Sequence, residues 1–170
     1  MAASASEQLS ALEQAIELLD EAGIPYWLFG GWAVDFYVSA VTRPHEDVDI
    51  AVWLKDVPRL HELLVSQGWR HTPDVDDDGG TGFEYGEVRL GLTFLAQDED
   101  GSIFIPLRDG RIDWQGEVFG DSTRNFEGVR ARVVEFRWLM GAKAWPRGDA
   151  VDQAKDRADL GHLRKLEGMS

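Results

Sequence analysis

The sequence predicts an α+β fold, and three observations predict it. Helical and strand patterns alternate over residues 1–68, the middle of the chain is a run of short β-type segments, and residues 135–170 read as helical again. With 170 residues of which 44% are hydrophobic, the chain can bury a core of its own. No internal repeat or flexible linker interrupts it. The expected organisation is therefore a core over residues 1–134, finished by a C-terminal helical segment over residues 135–170 packed on that core.

Ser4 and Glu7 have the spacing of a capping box, and Leu9, Leu12, Ile16 and Leu19 follow at helical intervals until Gly23. After Ile24-Pro25, "YWLF" is a short apolar strand that runs into Gly30-Gly31, where "WAVDFYVSA" begins a second helix. Val48 to Leu54 is β-branched and aromatic and predicts a strand. Asp56 and Pro58 then open a helix that carries Leu60, Leu63 and Leu64 and stops at Gly68. "PDVDDDGGTG" reads as an acidic, turn-rich loop, whereas "EVRLGLTFLA", "SIFIPL" and "VRARVVEF" read as strands divided by turn signals. From Glu135 the pattern is helical through "FRWLMGAKAW", breaks at Pro146 and restarts near Asp149.

Charge limits the partners. Seventeen Lys and Arg stand against 31 Asp and Glu, a net charge of -14, which argues against long nucleic acid or an anionic membrane as general partners. A polyanionic ligand must be met by a local cluster of cations. The absence of cysteine removes disulfides, thiolate metal sites and a cysteine nucleophile. The N-terminus has no signal-peptide pattern, and no apolar run approaches the roughly 20 residues that span a bilayer, so a soluble, cytoplasmic protein is expected. Nothing in the sequence speaks to oligomeric state.

The chemistry concentrates in "WLFGGWAVDFYVSAVTRPHEDVDIAVWL", Trp27 to Leu54. Residues i and i+2 of a strand share a face, so Asp47 and Asp49 project together while Val48 and Ile50 pack behind. Two carboxylates so placed repel each other unless a cation offsets them, and oxygen-only ligation suits Mg2+, which commonly shares carboxylates with substrate phosphates. Gly30 and Gly31 let the backbone approach a ligand, and the helix they open offers unpaired N–H groups to a phosphate. Arg43 and His45 lie just upstream of the aspartates. Each piece alone also describes ordinary structure, a solvated acidic pair or a turn; the combination points to nucleotide chemistry.

"GGWAVD" followed by "TRPHEDVDI" resembles the signature of the polymerase-β-like nucleotidyltransferase superfamily, and most closely its lincosamide and aminoglycoside nucleotidyltransferase branch, with "AKDRADLGHL" also similar. The resemblance implies a mixed β-sheet flanked by helices, with C-terminal helices that help enclose the acceptor. It implies an Mg2+-dependent enzyme that moves a nucleoside monophosphate, AMP from ATP, to a hydroxyl of a small molecule such as an antibiotic. Carried over, Gly30 and Gly31 would hold the triphosphate, with Asp47 and Asp49 as metal-binding catalytic residues. Arg43 and His45 would form a basic flank, and Lys155 and Lys143 would reach phosphate, although either lysine could equally be an ordinary helix residue.

The pattern breaks at one position. The resemblance implies a third carboxylate, acting as general base or completing the metal site, at position 91, on the face of "GEVRLGLTFL" that also carries Glu87, Arg89 and Thr93, and there the chain has Gly91. Three readings stay open: Glu87 or Glu84 substitutes, the acceptor's own groups or water take the proton, or transfer has lapsed while binding of a nucleotide or a protein partner persists. An arginine on that face could also pair with Asp47 or Asp49.

The remaining candidates are weaker. Asp74 to Gly79 matches half of a calcium loop, but the twelfth position is Tyr85, so the segment is read as an acidic surface loop that would attract a cationic acceptor if it rims the pocket. Tyr85, Phe104, Trp114, Phe119 and Trp138 could stack on a base or sugar, although aromatics at such spacings are usually core. His61, His71 and His162 have no metal-site spacing, and no G-x-S-x-G occurs.

Overall fold

A computed structural model describes residues 3–114, 117–144 and 148–168. The first helix, α1 (Ala5–Ala22), starts at Ser4, whose hydroxyl accepts the Glu7 N–H at 3.1 Å, and ends at Gly23 in the left-handed conformation. It leads to β1 (Tyr26–Phe29), α2 (Gly30–Val38) and β2 (Val48–Trp53), and then to α3 (Val57–Ser66), which has Pro58 in its first turn. The middle is β3 (Arg70–His71), β4 (Gly80–Tyr85), β5 (Val88–Gln97), β6 (Ile103–Leu107), β7 (Gly110–Asp113), β8 (Thr123–Phe126) and β9 (Val129–Arg132). Two helices follow, α4 (Phe136–Ala144) and α5 (Ala150–Gly168).

The main sheet runs β1-β2-β5-β4-β3, with β6 and β7 continuing from the end of β5. It is mixed: β2 and β5 are parallel, and the other described pairs are antiparallel. This is the α+β architecture expected from the sequence, a mixed sheet with flanking and C-terminal helices. One face carries Tyr26, Leu28, Val48, Ile50, Val52, Leu90 and Leu92, all buried, and α1 packs across β5 on the core. The other face begins with Phe29, Asp49 and Gly91, which are neighbours in register across three strands. The two C-terminal helices pack against each other and against α2.

The sequence reading misses β4. It assigned "GGTG" to a loop because glycine is a poor strand residue, but Gly80 is there to let two backbones meet: a Cβ would lie 2.3 Å from the Leu92 carbonyl oxygen of β5. It also missed the outgoing or returning arms of two hairpins, β7 and β8. The second hairpin turns at Glu127 and Gly128, both with positive φ, as a two-residue turn between right-twisted strands requires. The break expected at Pro146 lies outside the described residues. In the acidic loop, carboxylates serve the loop itself: Asp77 accepts the Asp74 N–H, Asp74 that of Asp76, and Asp78 that of Arg108. Trp114, Phe119 and Trp138 pack in one aromatic cluster with Phe29 and Trp27, while Tyr85 is exposed beside Trp69.

Candidate active site

The site is built where β1 hands over to α2. Phe29 pairs with Asp49, and the next residue, Gly30, has φ +72°, a conformation that favours glycine. Asp49 itself pairs with Gly91 on the other side. Its carboxylate lies across the two glycines: Oδ2 is 3.0 Å from the place a Cβ on Gly30 would take, and Oδ1 is 2.6 Å from that of a Cβ on Gly91. Asp47, just before β2 and two residues earlier, is exposed. Bare backbone at Gly30 and Gly91 leaves room for the Asp49 carboxylate on this face of the sheet.

The segment between α2 and β2 is held by buried polar groups. Asp35, with no exposed surface, accepts from the Thr42 hydroxyl at 2.6 Å and the Thr42 N–H at 3.2 Å through Oδ1. Its Oδ2 is 2.6 Å from His45 Nε2, which places the ring's Nδ1 over Gly31. Gln8 of α1 donates to the His45 carbonyl at 2.7 Å and accepts from Trp32 Nε1 at 3.0 Å. Every one of these groups has a partner, which is what allows them to be buried. His45 is thus fixed from two sides, and a Cβ on Gly31 would meet its Nδ1 at 2.5 Å and Arg43 Nη2 at 2.7 Å. Gly31→Ala is therefore expected to destabilise the fold by about 1–3 kcal/mol, the usual cost of overpacking. Urea unfolding of the variant checks this; an unchanged midpoint would mean that His45 is free to move.

Arg43 and Lys143 reach the same place from opposite ends of the chain. Arg43 donates through Nε and Nη2 to the two oxygens of Asp159 at 3.1 and 3.0 Å, a bidentate pair. Lys143, 8% exposed, lies 3.0 Å from Asp159 and donates to Asp156 at 3.3 Å. Lys155 is more open and pairs with Glu46 at 3.3 Å. Burial pushes the Asp159 carboxyl upward, but the Arg43 hydrogen bonds and the Lys143 charge outweigh it and hold the group below the ordinary carboxylate value. A depressed folded-state pKa contributes stability that is fully present above the unfolded value of about 3.9 and is lost as pH falls through the folded value. The native chain should accordingly exceed Asp159→Asn in stability at pH 7 by about 3 kcal/mol, a gap that narrows below about pH 4. Urea midpoints at pH 7 and pH 3 measure it, and a gap independent of pH would contradict the assignment.

Together Gly30, Gly31, Arg43, His45, Asp47, Asp49, Lys143 and Lys155 line one cavity of about 210 Å³, joined there by Glu46 and Asp152. The sequence reading had singled out eight of these ten. Glu87 is not among them: it sits in the exposed β4–β5 turn, four residues and about 13 Å of extended strand from Gly91. Glu84 lines a neighbouring cavity of about 450 Å³, which shares Asp47 and has Gly82 and Gly91 in its wall. There Glu84 is paired with Arg70 and Arg89, so the nearby arginine is engaged with Glu84. Asp74 and Asp77 rim this second cavity.

Two carboxylates beside an open backbone cradle fit a hard divalent ion that takes its remaining ligands from phosphate and water. Among the described residues no cluster of three or more His, Asp or Glu forms a complete protein cage. Asp35 and Asp159 escaped the sequence reading. Asp35 stands inside the quoted "GGWAVD", and Asp152, Asp156 and Asp159 follow helical spacing, a carboxylate stripe that could have been read as facing the core.

The fold is that of the nucleotidyltransferases. The chain superposes on the lincosamide antibiotic adenylyltransferase LnuA, in its lincomycin-bound form, with a TM-score of 0.72 at 19% identity, covering 96% of this chain and 98% of that one. On ANT(2'')-Ia in complex with adenylyl-2''-tobramycin the TM-score is 0.65 at 19% identity, over 95% and 93% of the two chains. Residues 11–161 match the family model of aminoglycoside-2''-adenylyltransferase, and the chain belongs to that family. Curated 2''-aminoglycoside nucleotidyltransferases are similar over a shorter stretch: one from Klebsiella pneumoniae is 32% identical and one from Escherichia coli 37% identical over 69 residues. That stretch is 41% of this chain and 39% of each relative's length.

Proposed function

We propose that the protein is a nucleotidyltransferase that moves AMP from ATP to a hydroxyl of a small antibiotic of the aminoglycoside or lincosamide kind. The observation that carries the reading is the 210 Å³ cavity, which gathers a glycine cradle, the Asp47 and Asp49 pair among four carboxylates, and three cations. Family membership and the antibiotics bound by the structural neighbours support it. Gly30, Gly31 and the start of α2 would receive the triphosphate, and Asp47 and Asp49 would hold Mg2+. The metal would supply charge neutralisation at the α-phosphate and the leaving pyrophosphate. Arg43, Lys143 and Lys155 would orient the phosphate chain. The acceptor belongs in the adjacent cavity over Gly82 and Gly91, where Asp74 and Asp77 favour a cationic molecule.

The lining holds three cations against four carboxylates, Glu46, Asp47, Asp49 and Asp152. Metal-free ATP should be repelled, so the nucleotide enters as its Mg2+ complex. Gly91 favours a second reading, a nucleotidyltransferase fold that binds nucleotide or a protein partner without turnover, because no carboxylate stands at the strand position beside Asp49. Pyrophosphate release from ATP and Mg2+, assayed with a panel of aminoglycosides and lincosamides, separates the two. Release that depends on one acceptor supports transfer; tight Mg-ATP binding with no release from any acceptor supports the second reading.

A further inference from the structure

We infer that Asp159 is a positioning residue for the phosphate site: from a buried place on α5 it aims Arg43 and Lys143 into the cavity with hydrogen-bond donors to spare. The inference rests on the proposed nucleotide site and deepens it. Asp159 has no exposed surface, and its two oxygens take Arg43 Nε and Nη2 and also lie against Lys143. An arginine has five N–H donors and a lysine three. Arg43 spends two on Asp159 and a longer one, 3.3 Å, on the Pro44 carbonyl; Lys143 contacts Asp156 and Asp159. Among the described residues each cation therefore keeps at least one N–H to offer. Arg43 Nη2 is also the atom that stands 2.7 Å from the Cβ position on Gly31. Left to themselves, two cations this close would repel and turn toward solvent. The carboxylate between them removes that repulsion and fixes both side chains.

The sign of one substitution decides between positioning and plain charge. Asp159→Asn deletes a negative charge close to the phosphates, so a residue that mattered only through its charge would, when neutralised, tighten Mg-ATP binding. A positioning residue gives the opposite result. Calorimetry with Mg-ATP should show Kd at least tenfold higher in Asp159→Asn than in the native chain, and magnesium tripolyphosphate, which lacks the nucleoside, should show the same loss. An equal or tighter Kd overturns the inference. The native chain gives an independent measurement should the variant fail to fold. The Arg43 Nε–H resonance, bonded to Asp159, should remain slowly exchanging and shift when Mg-ATP is added; a resonance that is unmoved or lost on addition contradicts the arrangement. Failure of the native chain to bind Mg-ATP at all is a different result, and it strikes the proposed function itself.

Discussion

Asp49→Asn should lower pyrophosphate release by about 10²- to 10³-fold, the usual cost of removing one electrostatic contributor from a preorganised site. Asparagine nearly matches aspartate in size, so the space across Gly30 and Gly91 stays filled and the register of β1, β2 and β5 is kept. What is lost is charge. Asp49 stands between Gly30 and Gly91, with Oδ2 toward the first and Oδ1 toward the second. Neutralising it would remove half of the proposed two-carboxylate metal site and leave Asp47, the exposed member, to hold the ion alone. Steady-state rates at saturating Mg-ATP check this. A rate within threefold of native would show that Asp49 neither binds the metal nor faces the reacting phosphate.

Gly91→Asp is expected to act in the other direction, raising the rate by about 10²- to 10⁴-fold, the range that general acid–base catalysis supplies. Register places residue 91 beside Asp49 on the parallel strand, so a side chain there projects to the same face. The new Cβ would first meet Asp49 Oδ1 at 2.6 Å, but that atom is the end of a side chain able to rotate. The cost in the metal-free protein is repulsion between neighbouring carboxylates, which Mg2+ should relieve. The variant should thus be less thermally stable than native without Mg2+ and recover with it. If it binds Mg-ATP as the native chain does and gains no rate with any acceptor, a missing base is not what limits this protein.

Much of this site was legible because the half proposed for the nucleotide is local in sequence. Gly30, Gly31, Asp47 and Asp49 fall within twenty residues and line one cavity, although Asp47 stands just before β2 and so outside the strand whose alternation was expected to place it. Helix α1 was legible through Ser4 and Gly23, both of which act through their own backbone neighbours. Strand β4 was not, because Gly80 is explained by the proximity of β5, a contact that composition does not record. The same holds for Arg43. Its position upstream of the aspartates marked it as a phosphate cation, but its main partner is Asp159, 116 positions away. His45 similarly read as a free basic flank, whereas Asp35 and Gln8 hold it in place. Long-range partners turned loosely placed side chains into oriented ones, and only the fold shows them.

The most direct test of the account is calorimetric titration of the native chain with ATP, with and without Mg2+. The arrangement of three cations among four carboxylates predicts saturable binding of Mg-ATP at one site, weak or no binding of ATP in EDTA, and loss of the Mg2+ effect in Asp49→Asn. Equal affinity with and without Mg2+, or no binding in either condition, would contradict a metal-nucleotide site at Gly30, Gly31, Asp47 and Asp49.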